Sequence, residues 1–284
     1  MARFPQWMWF GFCWLCFLTE PAVGANEALI VVKGSDTLGA RLMPRMREAF
    51  QQQRADALFE ISAEGSSTGI AGVIDGRAHL AMVSRDLSES ERARAAQAGV
   101  ELEAVVVAYD AIAVVVNAAN PVMELSRDEV EKIFTGDYRD WIALEAPPGP
   151  ISPYIRNSAS GTHAAFRHLA MRERDYGSHV RLLAGNERIA AEVASSPGSI
   201  GYLGLAYIRT PGLKIVSIDG LSPTREAVAS GRYPYIRPLY FVFDAADRQP
   251  ALQAFLDWTL GREGQREVTG AGFIPVADGD FSAR

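Results

Sequence analysis

Short apolar runs alternate along the chain with segments in which apolar residues recur every three or four positions. The runs at 28–32 and 80–83 are wholly apolar, which is typical of strands buried on both faces. Residues 38–50 carry an apolar residue at every fourth position and predict a helix, with Pro44 causing a kink or a late start. Two more strand-like runs cover 105–107 and 111–116. Strands that alternate with helices predict an α/β fold with a largely parallel sheet.

The first 25 residues have the pattern of a secretory signal peptide. Arg3 supplies a positive charge, and residues 7–18 form an apolar stretch that is too short to span a bilayer comfortably. Small residues at 23–25 suit cleavage before Asn26. We therefore expect a soluble, exported, periplasmic protein, and an uncleaved N-terminal anchor is the alternative.

Composition narrows the function classes once this segment is set aside. Both cysteines, Cys13 and Cys16, lie in the segment, so the mature chain keeps no disulfide, thiolate metal site or cysteine nucleophile. The chain is 48% hydrophobic and 22% charged, which is typical of a globular protein. Its formal net charge of -6 argues against a broad nucleic-acid-binding surface.

Four strand-to-helix junctions carry small hydroxyl side chains beside glycine or arginine. They are 34–37 (GSDT), 65–68 (GSST), 84–85 (SR) and 156–162 (RNSASGT). The carboxyl ends of parallel strands meet at one edge of a sheet, where α/β proteins bind ligands. We therefore expect these junctions to lie close together.

Their chemistry suits a small anion. A helix start exposes unpaired N–H groups with a partial positive charge, small side chains let an anion approach, and hydroxyls add donors. Arg85 and Arg156 can donate forked hydrogen bonds to a tetrahedral oxyanion. Each junction alone is ordinary N-cap sequence, but the four together predict an anion site.

At these residues the chain resembles the phosphate-binding periplasmic proteins of phosphate ABC transporters, and the resemblance spans nearly the whole mature chain. Besides the four junctions, it rests on segments 110–117, 120–122, 133–136, 186–187, 200–202 and 237–240. Each segment is weak alone, and their order and spacing together are specific.

The resemblance implies a two-lobed, venus-flytrap fold of the type II periplasmic binding proteins with two hinge crossovers. Residues 26–110 and 208–284 would form one lobe and residues 111–207 the other. It implies a monomer without enzymatic activity, cofactor or metal that captures inorganic phosphate between the lobes and delivers it to an ABC transporter permease. The ligand-binding residues implied in the first lobe are Ser35, Asp36, Thr37, Ser66, Ser67, Ser84 and Arg85. Those implied in the second lobe are Arg156, Ser160, Gly161 and Thr162.

Two positions depart from the family pattern. Many members have an aspartate where Arg85 stands, although a related branch carries Ser-Arg, and another aspartate where Ser158 stands. The first aspartate accepts the proton of hydrogen phosphate; sulfate has no such proton, so a buried acceptor facing it would be unpaired. Asp36 is our candidate for the replacement acceptor, with a helix cap as its alternative role. Sulfate and molybdate stay open as alternative ligands, and phosphate sensing or another non-transport role as an alternative function.

An enzymatic reading starts from residues 65–69, which also fit the G-x-S-x-G elbow of α/β-hydrolases. Ser67, Asp110 and His179 occur in the hydrolase order. Against this interpretation, the serine follows only about two strands, and no HGGG-like segment precedes it.

The four histidines do not suggest a metal site, since His163 and His168 are five residues apart and the other two are isolated.

Overall fold

The computed structural model describes residues 28–278, so the predicted signal peptide at 1–25 and both cysteines lie outside the described residues. The strands are β1 Ala28–Gly34, β2 Ala57–Ser62, β3 Leu80–Val83, β4 Leu102–Asn117, β5 Glu124–Leu125, β6 Ser152–Arg156, β7 Arg181–Leu183, β8 Ser199–Gly204, β9 Leu213–Ile215, β10 Ser217–Ile218 and β11 Ile236–Asp244. The helices are α1 Asp36–Gly39, α2 Met43–Gln51, α3 Ser66–Ile74, α4 Glu89–Ala98, α5 Arg127–Thr135, α6 Gly161–Met171, α7 Asn186–Ser195, α8 Arg225–Ala229, α9 Pro250–Leu260 and α10 Arg262–Gly270. None of the helices between residues 28 and 278 combines the length and apolar character that a membrane crossing needs.

The main sheet has the strand order β2-β1-β3-β11-β4-β8-β6-β7, with β9 beside β4. Strands β2, β1 and β3 are parallel to one another, as are β8, β6 and β7. In the centre, β11 is antiparallel to β3 and β4, and β4 is antiparallel to β8. The α/β class is confirmed, but the sheet is mixed rather than largely parallel. Alternation along the chain does not report the direction of β11, because this strand returns to the sheet from the end of the chain.

Strand β4 runs unbroken over 16 residues and belongs to both ends of the sheet. Residues 102–111 pair with β11, and residues 112–116 pair with β8. The sequence suggests two separate runs at 105–107 and 111–116, because Tyr109 and Asp110 interrupt the apolar pattern. In the fold these two residues continue the strand.

Two large apolar cores lie on either side of this shared strand. We call β1, β2, β3, β11 and residues 102–110 of β4 the first half, whose core includes Ile30, Val32, Phe50, Leu239 and Phe255. We call the rest of β4 with β6, β7 and β8 the second half, whose core includes Val114, Phe134, Phe166, Tyr202 and Tyr235. Buried residues between 216 and 236 pack into the second core.

The helical pattern at 38–50 is divided into α1 and α2. Pro44 lies in the first turn of α2, where a missing N–H costs no helix hydrogen bond. The predicted late start is therefore confirmed. The short α1 keeps residues 35–37 in a turn directly after β1, which places their side chains at the end of the strand.

Candidate anion-binding site

The three junctions of the first half meet through their serine hydroxyls. Ser35 Oγ donates to Ser84 Oγ at 3.0 Å, and the backbone N–H of Ser84 donates to Ser66 Oγ at 3.1 Å. The three residues are at most 2% exposed. The parallel order β2-β1-β3 brings these strand ends together, as the sequence predicts.

The start of α6 brings the fourth junction, from the second half, against the other three. Ser160 caps α6 by accepting the N–H of Thr162 at 3.1 Å. A Cβ on Gly161 would lie 2.5 Å from Ser84 Oγ and closer still to Ser66 Oγ, so only glycine permits this approach. Across the halves, Thr37 Oγ1 and Thr162 Oγ1 are 3.1 Å apart.

Arg156 brings a buried positive charge to this cluster from the end of β6. It is 1% exposed, and its Nη2 donates to the carbonyl of Ala184 at 2.8 Å. Within residues 28–278 its Nε and Nη1 make no hydrogen bond, although Nη1 lies 3.2 Å from Asp36 Oδ2. Burial lowers the pKa of the guanidinium, and the charge of Asp36 opposes this effect. Arg156 thus has donor capacity that suits an anion.

Asp36 reaches across to the second half instead of capping its own helix. Ser35 occupies the N-cap position of α1. Asp36 Oδ2 accepts the backbone N–H of Asn186 at 3.1 Å and its Nδ2 at 2.8 Å. Its carboxylate therefore sits beside Arg156 at the start of α7, and its role as acceptor of a ligand proton stays a prediction.

Arg85 is next to the site, but a carboxylate already occupies it. Its Nη2 and Nη1 bind Glu91 at 2.7 and 2.8 Å, and Nη2 also donates to Ser67 Oγ at 3.1 Å. The N–H of Ser67 donates to the carbonyl of Ala159 at 3.2 Å, which is another contact between the halves. We therefore expect Arg85 to contribute less to anion binding than Arg156.

Two buried charges of the centre, Asp110 and Arg237, were not among the predicted anion-binding residues. Arg237 on β11 is 2% exposed and pairs with Asp110, which is fully buried, at 2.7 Å. Arg237 also donates to Thr162 Oγ1 at 2.8 Å and to Thr37 Oγ1 at 3.3 Å. The available signal was a charge beside apolar runs, since Asp110 stands between the runs at 105–107 and 111–116 and Arg237 precedes the run at 239–243. Such charges are almost never buried unless paired.

The residues of the hydrolase alternative have separate partners. Asp110 is paired with Arg237 and also accepts the N–H of Leu205 at 3.0 Å. His179 Nε2 lies 3.1 Å from the carbonyl oxygen of Ile133, to which it donates. No hydrogen bond joins Ser67, Asp110 and His179 to one another in the described part of the chain. The same residues, 28–278, hold no group of three or more histidine, cysteine or acidic side chains that could bind a metal ion.

Known proteins resemble this chain in both sequence and fold. The family model of the PBP superfamily domain matches residues 20–263. Phosphate-binding protein PstS of Bacillus subtilis is 30% identical over 92% of this chain and 85% of its own length. PstS of Pseudomonas aeruginosa is 31% identical over 90% of this chain and 85% of its own length.

Solved structures of phosphate-binding proteins have folds similar to that of this chain. A putative phosphate ABC transporter substrate-binding protein from Clostridium perfringens, with bound phosphate, has a TM-score of 0.80 and 30% identity, over 87% of this chain and 99% of that one. An ABC-type phosphate transport receptor from Vibrio cholerae has a TM-score of 0.73 and 25% identity, over 86% and 99%. The chain therefore belongs to the PBP superfamily and, within it, to the PstS family of phosphate-binding proteins, which have the type II fold.

Proposed function

We propose that this protein is an exported, periplasmic binding protein that captures inorganic phosphate between its two halves and delivers it to an ABC transporter. The observation that carries the proposal is Arg156, a buried guanidinium beside the four hydroxyl-bearing junctions, whose Nε and Nη1 make no hydrogen bond within residues 28–278. Charge-assisted hydrogen bonds from arginine suit a tetrahedral oxyanion. The names of the relatives in Bacillus subtilis and Pseudomonas aeruginosa support phosphate as the ligand.

The two halves would act as the two lobes. Contacts between protein groups join them at the site, including Thr37 with Thr162 and Asp36 with Asn186. We expect closure to surround the anion with donors from both sides and to exclude water. The packing of residues 216–236 into the second core supports placing the return crossover near residue 236, later in the chain than position 208.

The charges of the site suit a ligand that carries a proton. Asp110 offsets Arg237, whereas Asp36 lies beside Arg156 with 19% of its side chain exposed. A carboxylate that remains in the site repels an anion unless the anion donates a hydrogen bond to it. Hydrogen phosphate can donate to Asp36 and sulfate cannot, so Asp36 is our proposed basis for discrimination.

Calorimetry on the mature protein, stripped of bound anions, tests the proposal with phosphate, sulfate and molybdate. We expect phosphate to bind more tightly than either competitor. Absence of binding by all three anions would overturn the anion site. Tighter binding of sulfate or molybdate would keep the site and overturn phosphate as the ligand.

Delivery and oligomeric state need separate measurements. We propose that the protein acts as a monomer and that its phosphate-loaded form stimulates ATP hydrolysis by its reconstituted permease. Light scattering after size exclusion reports the monomer. Phosphate binding without any stimulation would favour a sensing role over transport.

A further inference from the structure

The guanidinium of Arg237 is held by hydrogen bonds to Asp110, to the carbonyl of Ser84 and to two threonine hydroxyls. Its Nε and Nη2 donate to Asp110 Oδ2 at 3.1 and 2.7 Å. Nη1 also donates to Thr162 Oγ1, and Nη2 also donates to Thr37 Oγ1, at 2.8 and 3.3 Å. The guanidinium therefore touches one threonine hydroxyl from each half.

The hydroxyl of Thr37 receives more than one hydrogen bond. Besides Arg237, Asn186 Nδ2 donates to Thr37 Oγ1 at 3.4 Å. A hydroxyl has two acceptor lone pairs and one proton, and neither a guanidinium nor an amide NH₂ can accept that proton. With both lone pairs in use, Thr37 must act as the donor toward its remaining neighbour, Thr162 Oγ1 at 3.1 Å.

The same count of lone pairs and protons applies to the next hydroxyl, that of Thr162. Thr162 Oγ1 receives hydrogen bonds from Arg237 and from Thr37, so its two lone pairs are taken. Its own proton is then available only to a third group, and the described residues 28–278 supply no further partner. This proton lies at the start of α6, beside Gly161, where the four junctions meet.

We propose that Arg237 is a positioning residue that sets the direction of a hydrogen-bond chain running from Arg237 and Asn186 through Thr37 and Thr162 to the bound anion. The proposal rests on the proposed function. The chain makes Thr162 an obligate donor, so the ligand atom that it meets is an oxyanion oxygen without a proton. Asp36 and Thr162 then have opposite roles toward the ligand, since Asp36 accepts a hydrogen bond from it and Thr162 donates a hydrogen bond to it.

A double-mutant cycle separates this role from a purely structural one. Arg237→Lys keeps a positive charge beside Asp110, but its ammonium lacks the planar fork with which the guanidinium reaches Asp110 and both threonines at once. Thr162→Val removes the hydroxyl and keeps the shape. We expect each change to weaken phosphate binding by about tenfold or more in calorimetry. The double variant should be no weaker than the weaker single variant, because both changes interrupt one chain.

A product of the two single effects in the double variant would overturn the proposal, because it would mean that the two residues act independently. Thr162→Ser should restore most of the affinity, and failure to do so would also count against the hydroxyl. Thr259→Val is the matched control, since Thr259 is a fully buried threonine on α9. It should leave phosphate affinity unchanged.

A second cycle covers the case in which Arg237→Lys does not fold. Thr37→Val and Thr162→Val should also be non-additive, whereas a Thr37 that contacts the anion directly gives additive losses and overturns the chain. The two proposals fail differently. Absence of phosphate binding by the wild-type protein contradicts the proposed function, and binding with additive cycles contradicts only the chain.

Discussion

Asp110 and Arg237 are register partners on β4 and β11, and their side chains form a buried ion pair. The pair lies on the two strands where the halves of the sheet join, and the second oxygen of Asp110 also accepts the N–H of Leu205. Neither charge has water to replace its partner, since Asp110 is fully buried and Arg237 is 2% exposed. The pair thus links the architecture of the sheet to the anion site.

Asp110→Ala leaves a buried guanidinium without its carboxylate and should lower the free energy of unfolding by about 3–5 kcal/mol. Urea denaturation followed by circular dichroism measures this loss. Glu187→Gln is the control, because it breaks the exposed pair of Glu187 with Arg41. This control should lower the free energy of unfolding by less than about 1 kcal/mol. Equal effects of the two changes would contradict our account of the buried pair.

Arg156→Ala and Arg85→Ala should differ strongly in phosphate affinity. Within residues 28–278, Nε and Nη1 of Arg156 make no hydrogen bond, and only Nη1 faces a carboxylate, that of Asp36, so the loss of Arg156 should weaken binding by about a hundredfold or more. Arg85 is held by Glu91, so its loss should weaken phosphate binding by less than about tenfold. Calorimetry on both variants gives the comparison. The reverse order of effects would make Arg85 the principal charge of the site.

Gly161→Ala should weaken phosphate binding by about tenfold or more. Alanine is favoured over glycine in a helix, so α6 itself should not suffer. The added methyl group would overlap the hydroxyls of Ser66 and Ser84 and push α6 away from the first half. Gly149→Ala is the control, since no other atom lies within 4 Å of a Cβ placed there. Equal affinities of the two variants would show that this close approach is not needed for binding.

His163 should make the protein less stable as the pH falls from about 6.5 toward 4. Burial, together with the positive charges of Arg167 and Arg156, lowers the pKa of His163 to about 4. The unfolded chain binds this proton more readily than the folded one, so acid favours unfolding within this window. His163→Gln should flatten the decline of Tm between pH 6.5 and 4. His168→Gln, at an exposed position, should not, and an unchanged slope in the first variant would refute the assignment.

The meeting of the four junctions was predictable because it follows from local rules. Small hydroxyl residues follow β1, β2, β3 and β6, and parallel strands align their carboxyl ends within each half. This alignment brings Ser35, Ser66 and Ser84 together without any information from the rest of the chain. The start of α6 then needs only glycine at position 161 to approach them.

The charge pairing was not predictable in the same way. Asp110 and Arg237 are 127 residues apart, and only the position of β11 between β3 and β4 makes them neighbours. Glu91 illustrates a different difficulty. Its capping box with Ser88 fully accounts for a glutamate at that position, so the local pattern conceals its second role as the partner of Arg85.

The place of β11 in the sheet also constrains the order of folding. This strand consists of residues 236–244 and separates β3 from β4, which are complete by residue 117. Until β11 arrives, β3 and the start of β4 lack their common neighbour and expose unpaired backbone edges. The first half therefore cannot close before β11 is available, so it should form late and slowly.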